Sequence, residues 1–316
     1  IPPGGRRHHG APLLRDALMQ GAGLIASRKP RPARVCGTCG PKPTRAPLLA
    51  VAFGVMFGVV FGAAASAEER PAGDDVGAVP SAALTVPTRC RTPVVPVVGG
   101  RTLSSVTRAL ADGRLRILAI GSSSTSGVGA TSARATYPAR LAQRLKRVFP
   151  QRQIAVLNRG IGGETAVGAA ARMKREVARS DPDLVIWQLG TNASLAGIKL
   201  ATFADAVSRT ITWLDTKGID VVLIDPQFVP KYAHHAHYLR MVQAIRRLAE
   251  RHNIGVIQRF ASMRAIAEKG GLAAHLARDR FHLNDLGYRC LGALAALAVV
   301  QAASPMRTPR NLVTER

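Results

Sequence analysis

Aromatic side chains are scarce in this chain, at 4% of 316 residues. Acidic residues are also few, 19 Asp and Glu against 44 Lys and Arg, for a formal net charge of +25. A surplus of that size can serve nucleic acid, anionic envelope polymers or lipid head groups. The basic residues, however, are spread over helical stretches such as Arg140, Arg144, Lys146 and Arg147, with no interleaved rings. They read as a solvated, arginine-rich surface, and no nucleic-acid partner is expected. With few rings to fill an interior, the core must come from aliphatic residues, and a 47% hydrophobic content is enough for one. Internal repeats are absent, and so is the G-x-G-x-x-G pattern of a dinucleotide loop. His234, His235 and His237 lack a nearby Cys or acid at ligand spacing and read as surface histidines. No cofactor and no metal is expected. His252 and His275 have no partner in the sequence.

Cysteine is rare too, and its four copies divide by position. Cys36 and Cys39 form one CxxC with no second pair, which is weak evidence for zinc. They lie in residues 1–45, a Pro- and Gly-rich stretch with nine basic residues and one acid, Asp16. That stretch reads as a disordered basic extension or, since the sequence opens on Ile1, as residues upstream of a misplaced start. Residues 46–67 carry no charge, follow a basic flank and end in Ala65-Ser66-Ala67 before Glu68-Glu69. They fit an export signal cleaved after Ala67. The alternative is an uncleaved anchor, which the run is long enough to be, and which would give a membrane association. Either way the body of the chain is expected outside the cytoplasm, periplasmic or secreted. There Cys90 and Cys290 are an even pair in an oxidising compartment. A disulfide between them would tie the lead-in to the last helix, and two unpaired thiols are the alternative.

Residues 68–110 read as a linker and lead-in, 111–303 as one domain and 304–316 as a tail. Within the domain, short apolar runs at 115–120, 153–157, 184–189, 219–224 and 254–258 are strand-like. Amphipathic helical stretches lie at about 136–148, 165–179, 201–217, 235–252 and 286–302. This alternation predicts an α/β fold, a three-layer α/β/α arrangement on a five-stranded parallel sheet with right-handed crossovers.

Polar residues collect where those strands end. The first strand runs into Gly121-Ser122-Ser123-Ser124, and a strand–turn–helix lifts a side chain clear of the sheet's carboxyl edge. A serine there can be a nucleophile, a phosphate ligand or a turn residue. After the second strand comes Asn158-Arg159-Gly160-Ile161-Gly162-Gly163-Glu164-Thr165, which can aim a backbone N–H into a site. After the third comes Gly190-Thr191-Asn192, and after the fourth Asp225-Pro226-Gln227, a pocket lining or a structural turn. Late in the chain Asp279-Arg280-Phe281-His282 places an acid three residues before a histidine.

In this order and at these strand ends the pieces resemble the SGNH (GDSL) hydrolase family, over about residues 114–300. The resemblance implies a flavodoxin-like sheet and an ester or acyl hydrolase that works without a metal. It places the nucleophile on Ser123, the oxyanion-hole donors on Ser123, Gly163 and Asn192, the base on His282 and its orienting acid on Asp279. Ser122 and Ser124 compete with Ser123, and Asp285 with Asp279, though Asn284 or Asp285 also suits the cap of the last helix. The chain departs from the family twice: Ser122 stands where Asp is usual, and Ala193 where GTN is often followed by Asp. Both departures remove supporting carboxylates, so other groups must pin the two loops.

The chemistry is coherent. A serine hydroxyl needs a base to take its proton, and a histidine does this near neutral pH. The expected substrate is a small-molecule, lipid or polysaccharide ester or thioester. Alternatives are O-acetyl hydrolysis or acyl transfer on an envelope polysaccharide, and a non-catalytic polyanion-binding domain on the same scaffold.

Overall fold

The computed structural model describes residues 85–303, Pro96 excepted. The basic extension at 1–45 with Cys36 and Cys39, the export segment at 46–67, the lead-in up to residue 84 and the tail at 304–316 lie outside them.

Five parallel strands form the sheet: β2 (Arg114–Gly121), β3 (Gln153–Gly160), β4 (Leu184–Gln188), β5 (Asp220–Ile224) and β6 (Gly255–Ile257). The sheet has six strands rather than the five expected, because β1 (Val97–Val98) adds an antiparallel edge, with Val97 opposite Ile257 and Val98 opposite Val256. Two residues are too few for an alternating pattern to show in sequence. The spatial order is β1-β6-β5-β4-β2-β3. Counting only the parallel strands in chain order, this is 2-1-3-4-5, the flavodoxin-like order. Its switch point falls beside β2, which pairs β3 on one side and β4 on the other.

Helices cover both faces because the strands are apolar on both. In β2, Leu115, Ile117 and Ala119 face one layer and Leu118 and Ile120 the other, all buried. This is the period-2 alternation of a strand enclosed on each side. The first layer holds α1 (Ser104–Ala111), α3 (Tyr137–Val148) and α9 (Asp285–Ala303). The second holds α4 (Ala166–Ser180), α6 (Leu200–Thr216) and α7 (Ala236–His252). The five helical stretches expected from periodicity are α3, α4, α6, α7 and α9, each within about two residues of its expected ends.

Among the described residues, four further α-helices were not expected. The single-turn α2 (Ser123–Ser126) and α5 (Thr191–Leu195) are too short to carry a period. In α8 (Arg259–Glu268) the apolar residues do not recur on one face. α1 lies in residues 97–111, most of which read as lead-in and which in fact supply a strand and a helix to the body. The helix is tied in by Asp220, whose carboxylate accepts the backbone N–H groups of Ser105 (2.8 Å) and Val106 (3.0 Å).

By length and composition α9 is apolar enough to cross a membrane, yet 72% of that window is buried inside the protein. It is the central helix of its layer. Cys290 on α9 is disulfide-bonded to Cys90, closing a span of 200 residues. His275 adds a second tie to the same lead-in, its Nε2 lying 3.1 Å from the Arg89 carbonyl.

Candidate active site

Gly121 ends β2, and Ser122 turns the chain into α2, so that Ser123 is the first residue of a one-turn helix. A backbone N–H in a helix's first turn has no intrahelical acceptor, which leaves that of Ser123 available. Its neighbours are differently used. Ser122 is buried and bonded through both its N–H and its hydroxyl to Gln188 Oε1, each at 3.0 Å. The Thr125 hydroxyl reaches the same oxygen at 3.2 Å. Gln188, the buried last residue of β4, thereby pins the turn that carries Ser122 and Ser123. Ser124 is buried as well, its hydroxyl accepting from Arg259 Nη1 at 3.0 Å. Of the three serines, Ser123 is the partly exposed one, and its Oγ lies 3.0 Å from His282 Nε2.

The loop before α9 presents that imidazole. The backbone N–H groups of Phe281 and His282 both donate to Asp279 Oδ1 at 2.9 Å. Its other oxygen, Oδ2, sits 2.6 Å from His282 Nδ1. A carboxylate only accepts, so Nδ1 carries the proton and Nε2 is left to accept from Ser123. Burial alone would raise the Asp279 carboxyl, but the hydrogen bonds from the His282 ring and the two backbone N–H groups outweigh it and hold the pKa below the ordinary value. Asp285, the rival acid, points elsewhere. It accepts from Thr131 N–H (2.8 Å) and hydroxyl (2.6 Å), pinning the loop after α2. Asn284 caps α9, its Oδ1 accepting from the N–H groups of Leu286 and Gly287.

The glycine-rich stretch after β3 lies against the turn that carries Ser123. A Cβ on Gly160 would come within 2.0 Å of the Ser126 nitrogen and 2.5 Å of the Thr125 carbonyl carbon, so only glycine lets α2 sit there. Ile161 N–H donates to the Gly121 carbonyl at 2.9 Å. Gly163 takes the left-handed backbone, φ 76°, that glycine tolerates best. Glu164 then anchors the loop through a two-point ion pair, its Oε1 and Oε2 each 2.6 Å from Arg172 Nε and Nη2. Arg172 Nη2 also donates to the Arg159 carbonyl at 2.6 Å. From the third loop, the Asn192 amide donates to the Glu164 carbonyl at 2.9 Å. That bond uses one of its two amide hydrogens and fixes the other beside the glycine loop.

The structure therefore brings Ser123, His282 and Asp279 into one hydrogen-bonded line and sets Asn192 against the loop of Gly163. Gln188, Arg259 and the Glu164–Arg172 pair were missed in sequence, whereas Gln227 stood in the Asp225-Pro226-Gln227 run read as a pocket lining or a structural turn. The polar Gln188 at the end of an otherwise apolar strand was the one signal available. Among the described residues, no three His, Cys, Asp or Glu side chains gather as a metal site.

A parallel 2-1-3-4-5 sheet with this serine, histidine and aspartate at its carboxyl edge is the fold of the SGNH hydrolases. A model of the non-GDSL lipase-like family matches residues 89–305, and the chain belongs to that family. The name suits Gly121-Ser122-Ser123-Ser124, which lacks the Asp of GDS. An arylesterase from Vibrio mimicus is 29% identical over 79 residues, which is 25% of this chain and 40% of that protein. Among solved structures, a protein assigned to the lipolytic G-D-S-L family of Desulfitobacterium hafniense DCB-2 is 23% identical, with a TM-score of 0.51. The overlap covers 57% of this chain and 97% of that one. A two-domain esterase active on acetylated mannans is 19% identical, with a TM-score of 0.55, covering 66% of this chain and 56% of that one.

Proposed function

We propose that this protein is an exported carboxylic ester hydrolase that works through an acyl-serine intermediate. The observation that carries the reading is the line from Ser123 Oγ to His282 Nε2 (3.0 Å) and from His282 Nδ1 to Asp279 Oδ2 (2.6 Å). His282 takes the Ser123 proton as the oxygen attacks the ester carbonyl, and Asp279 stabilises the resulting imidazolium. The negative charge on the carbonyl oxygen is received by the N–H groups of Ser123 and Gly163 and the free amide hydrogen of Asn192. Losing one such donor typically costs about 100- to 1,000-fold in turnover. The imidazolium then protonates the leaving alcohol, and water, activated by the same ring, releases the acid. Family membership and the partial likeness to an arylesterase support ester chemistry. The Cys90–Cys290 disulfide supports a location outside the reducing cytoplasm.

The test is a panel of p-nitrophenyl esters of rising chain length together with acetylated sugars, assayed on pure protein with a fluorophosphonate probe alongside. Wild type hydrolyses at least one ester class and is labelled on Ser123, while Ser123→Ala and His282→Ala lose activity and keep their fold. Near-normal turnover by either variant removes the assigned role. An unlabelled, inactive but folded wild type favours the polyanion-binding alternative.

A further inference from the structure

The Asp225-Pro226-Gln227 run follows β5 at the same sheet edge but supplies none of the reacting groups named above. Gln227 is nonetheless 1% exposed, and each of its four polar groups meets a different segment. Its Nε2 donates to the Phe281 carbonyl at 3.1 Å. Its Oε1 faces the Ser124 hydroxyl at 3.5 Å, a long contact. Its backbone N–H donates to Thr191 Oγ1 at 3.3 Å, and its carbonyl accepts from the Tyr238 hydroxyl at 2.6 Å. Phe281, Ser124 and Thr191 are the chain neighbours of His282, Ser123 and Asn192.

The direction of these bonds is set by chemistry. A carbonyl only accepts, so the amide nitrogen must face Phe281 and the amide oxygen must face Ser124. A guanidinium only donates, so Arg259 Nη1, 3.0 Å from Ser124 Oγ, leaves the serine's own proton for Gln227. Arg259 is itself buried and held by the Asp225 carbonyl, 3.1 Å from its Nε.

We propose that Gln227 is a positioning residue for ester hydrolysis, a strut that keeps the nucleophile, oxyanion-asparagine and base loops in one register. Arg259 fixes the polarity of its contact with the nucleophile loop. The inference rests on the hydrolase reading. The three loops leave three different strands or helices, so nothing in the local backbone of one fixes its distance to another. A misplacement of about 1 Å between reacting groups costs on the order of 100-fold in rate, and this is the error the strut suppresses.

The test uses the full chain with Gln227→Leu and Gln227→Glu, each also combined with Ser124→Ala. The expected result is a kcat lower by about 10- to 100-fold with KM within about two-fold of wild type. Fluorophosphonate labelling of Ser123 should slow in parallel, and the thermal midpoint should show that the variants remain folded. The Ser124→Ala effect should be smaller in the Gln227→Leu background than alone, because both act on one contact. Unchanged kcat in folded Gln227→Leu overturns the proposal, and so does a rise in KM alone, which would make Gln227 a substrate contact. If the Gln227 variants fail to fold, Tyr238→Phe, which frees the Gln227 carbonyl, is read the same way. Absence of Ser123 labelling in wild type defeats the hydrolase reading itself, and is distinct from labelling that slows in no variant.

Discussion

At the scale of single residues, one buried amide holds the turn that carries Ser122 and Ser123. Gln188 takes three hydrogen bonds from Ser122 and Thr125, and a neutral amide does so with no charge to desolvate. The carboxylate that is present in this buried region, Asp225, is fully enclosed. Its Oδ1 accepts from Phe260 N–H at 2.8 Å, and Arg246 stands 3.9 Å from Oδ2. Burial pushes its pKa up to about 7 against the pull of Phe260, Arg259 and Arg246. A carboxyl free in the unfolded chain titrates near 3.9. Between those values the folded state keeps a proton that the unfolded state has lost, so stability falls as pH rises from about 4 to about 7 and is level above. The three-unit gap corresponds to about 4 kcal/mol. Asp225→Asn does not titrate, so urea unfolding from pH 4 to 8 should show wild type losing stability relative to the variant by up to that amount. A pH-independent difference would count against the shift.

At the scale of elements, the turn that carries Ser123 depends on how closely α2 can approach β3. A methyl group on Gly160 would overlap the backbone of Thr125 and Ser126. Gly160→Ala should therefore cost about 1–3 kcal/mol by forcing the two elements apart, and it should lower turnover because α2 carries Ser123. Gly162→Ala, whose Cβ would meet nothing within 4 Å, should leave stability within about 0.5 kcal/mol of wild type. Thermal and urea melts of the two variants, with ester hydrolysis of the first, check the contrast. Equal effects would mean that the approach is not close enough to matter. The same scale shows why α2, α5, α8 and β1 escaped the sequence reading. Periodicity needs several turns or several alternations, and these elements are either too short or too evenly mixed to show one.

At the scale of the whole molecule, the disulfide joins the lead-in to the helix that the first layer is built around. A cross-link over 200 residues restricts the unfolded chain strongly. The Cys90→Ser/Cys290→Ser double variant should lose about 2–5 kcal/mol of stability while hydrolysing esters normally at 25 °C, since the hydrogen bonds that link Ser123, His282 and Asp279 involve neither cysteine. Melts with and without reductant, beside mass analysis of trapped thiols, test this. An unchanged melt, or two free thiols in the wild type, would refute it. His275 reinforces the same junction, so residues 88–90 are held at two points on the body.

By itself the sequence determined the layer order of the body, because apolar runs enclosed on both faces and amphipathic helices alternate with a period that only a parallel α/β sheet satisfies. It also offered Ser123, Gly163, Asn192, Asp279 and His282 as candidates, through the resemblance of its strand-end motifs to the SGNH family. The tertiary structure alone set the Ser123 oxygen against the imidazole and turned Asp285 away to Thr131. It alone decided that Gln188, Gln227, Arg259 and the Glu164–Arg172 pair hold the loops together. Those choices depend on contacts between segments up to 159 residues apart, as from Ser123 to His282. A polar side chain in a loop carries no local mark of the partner that folding will bring to it.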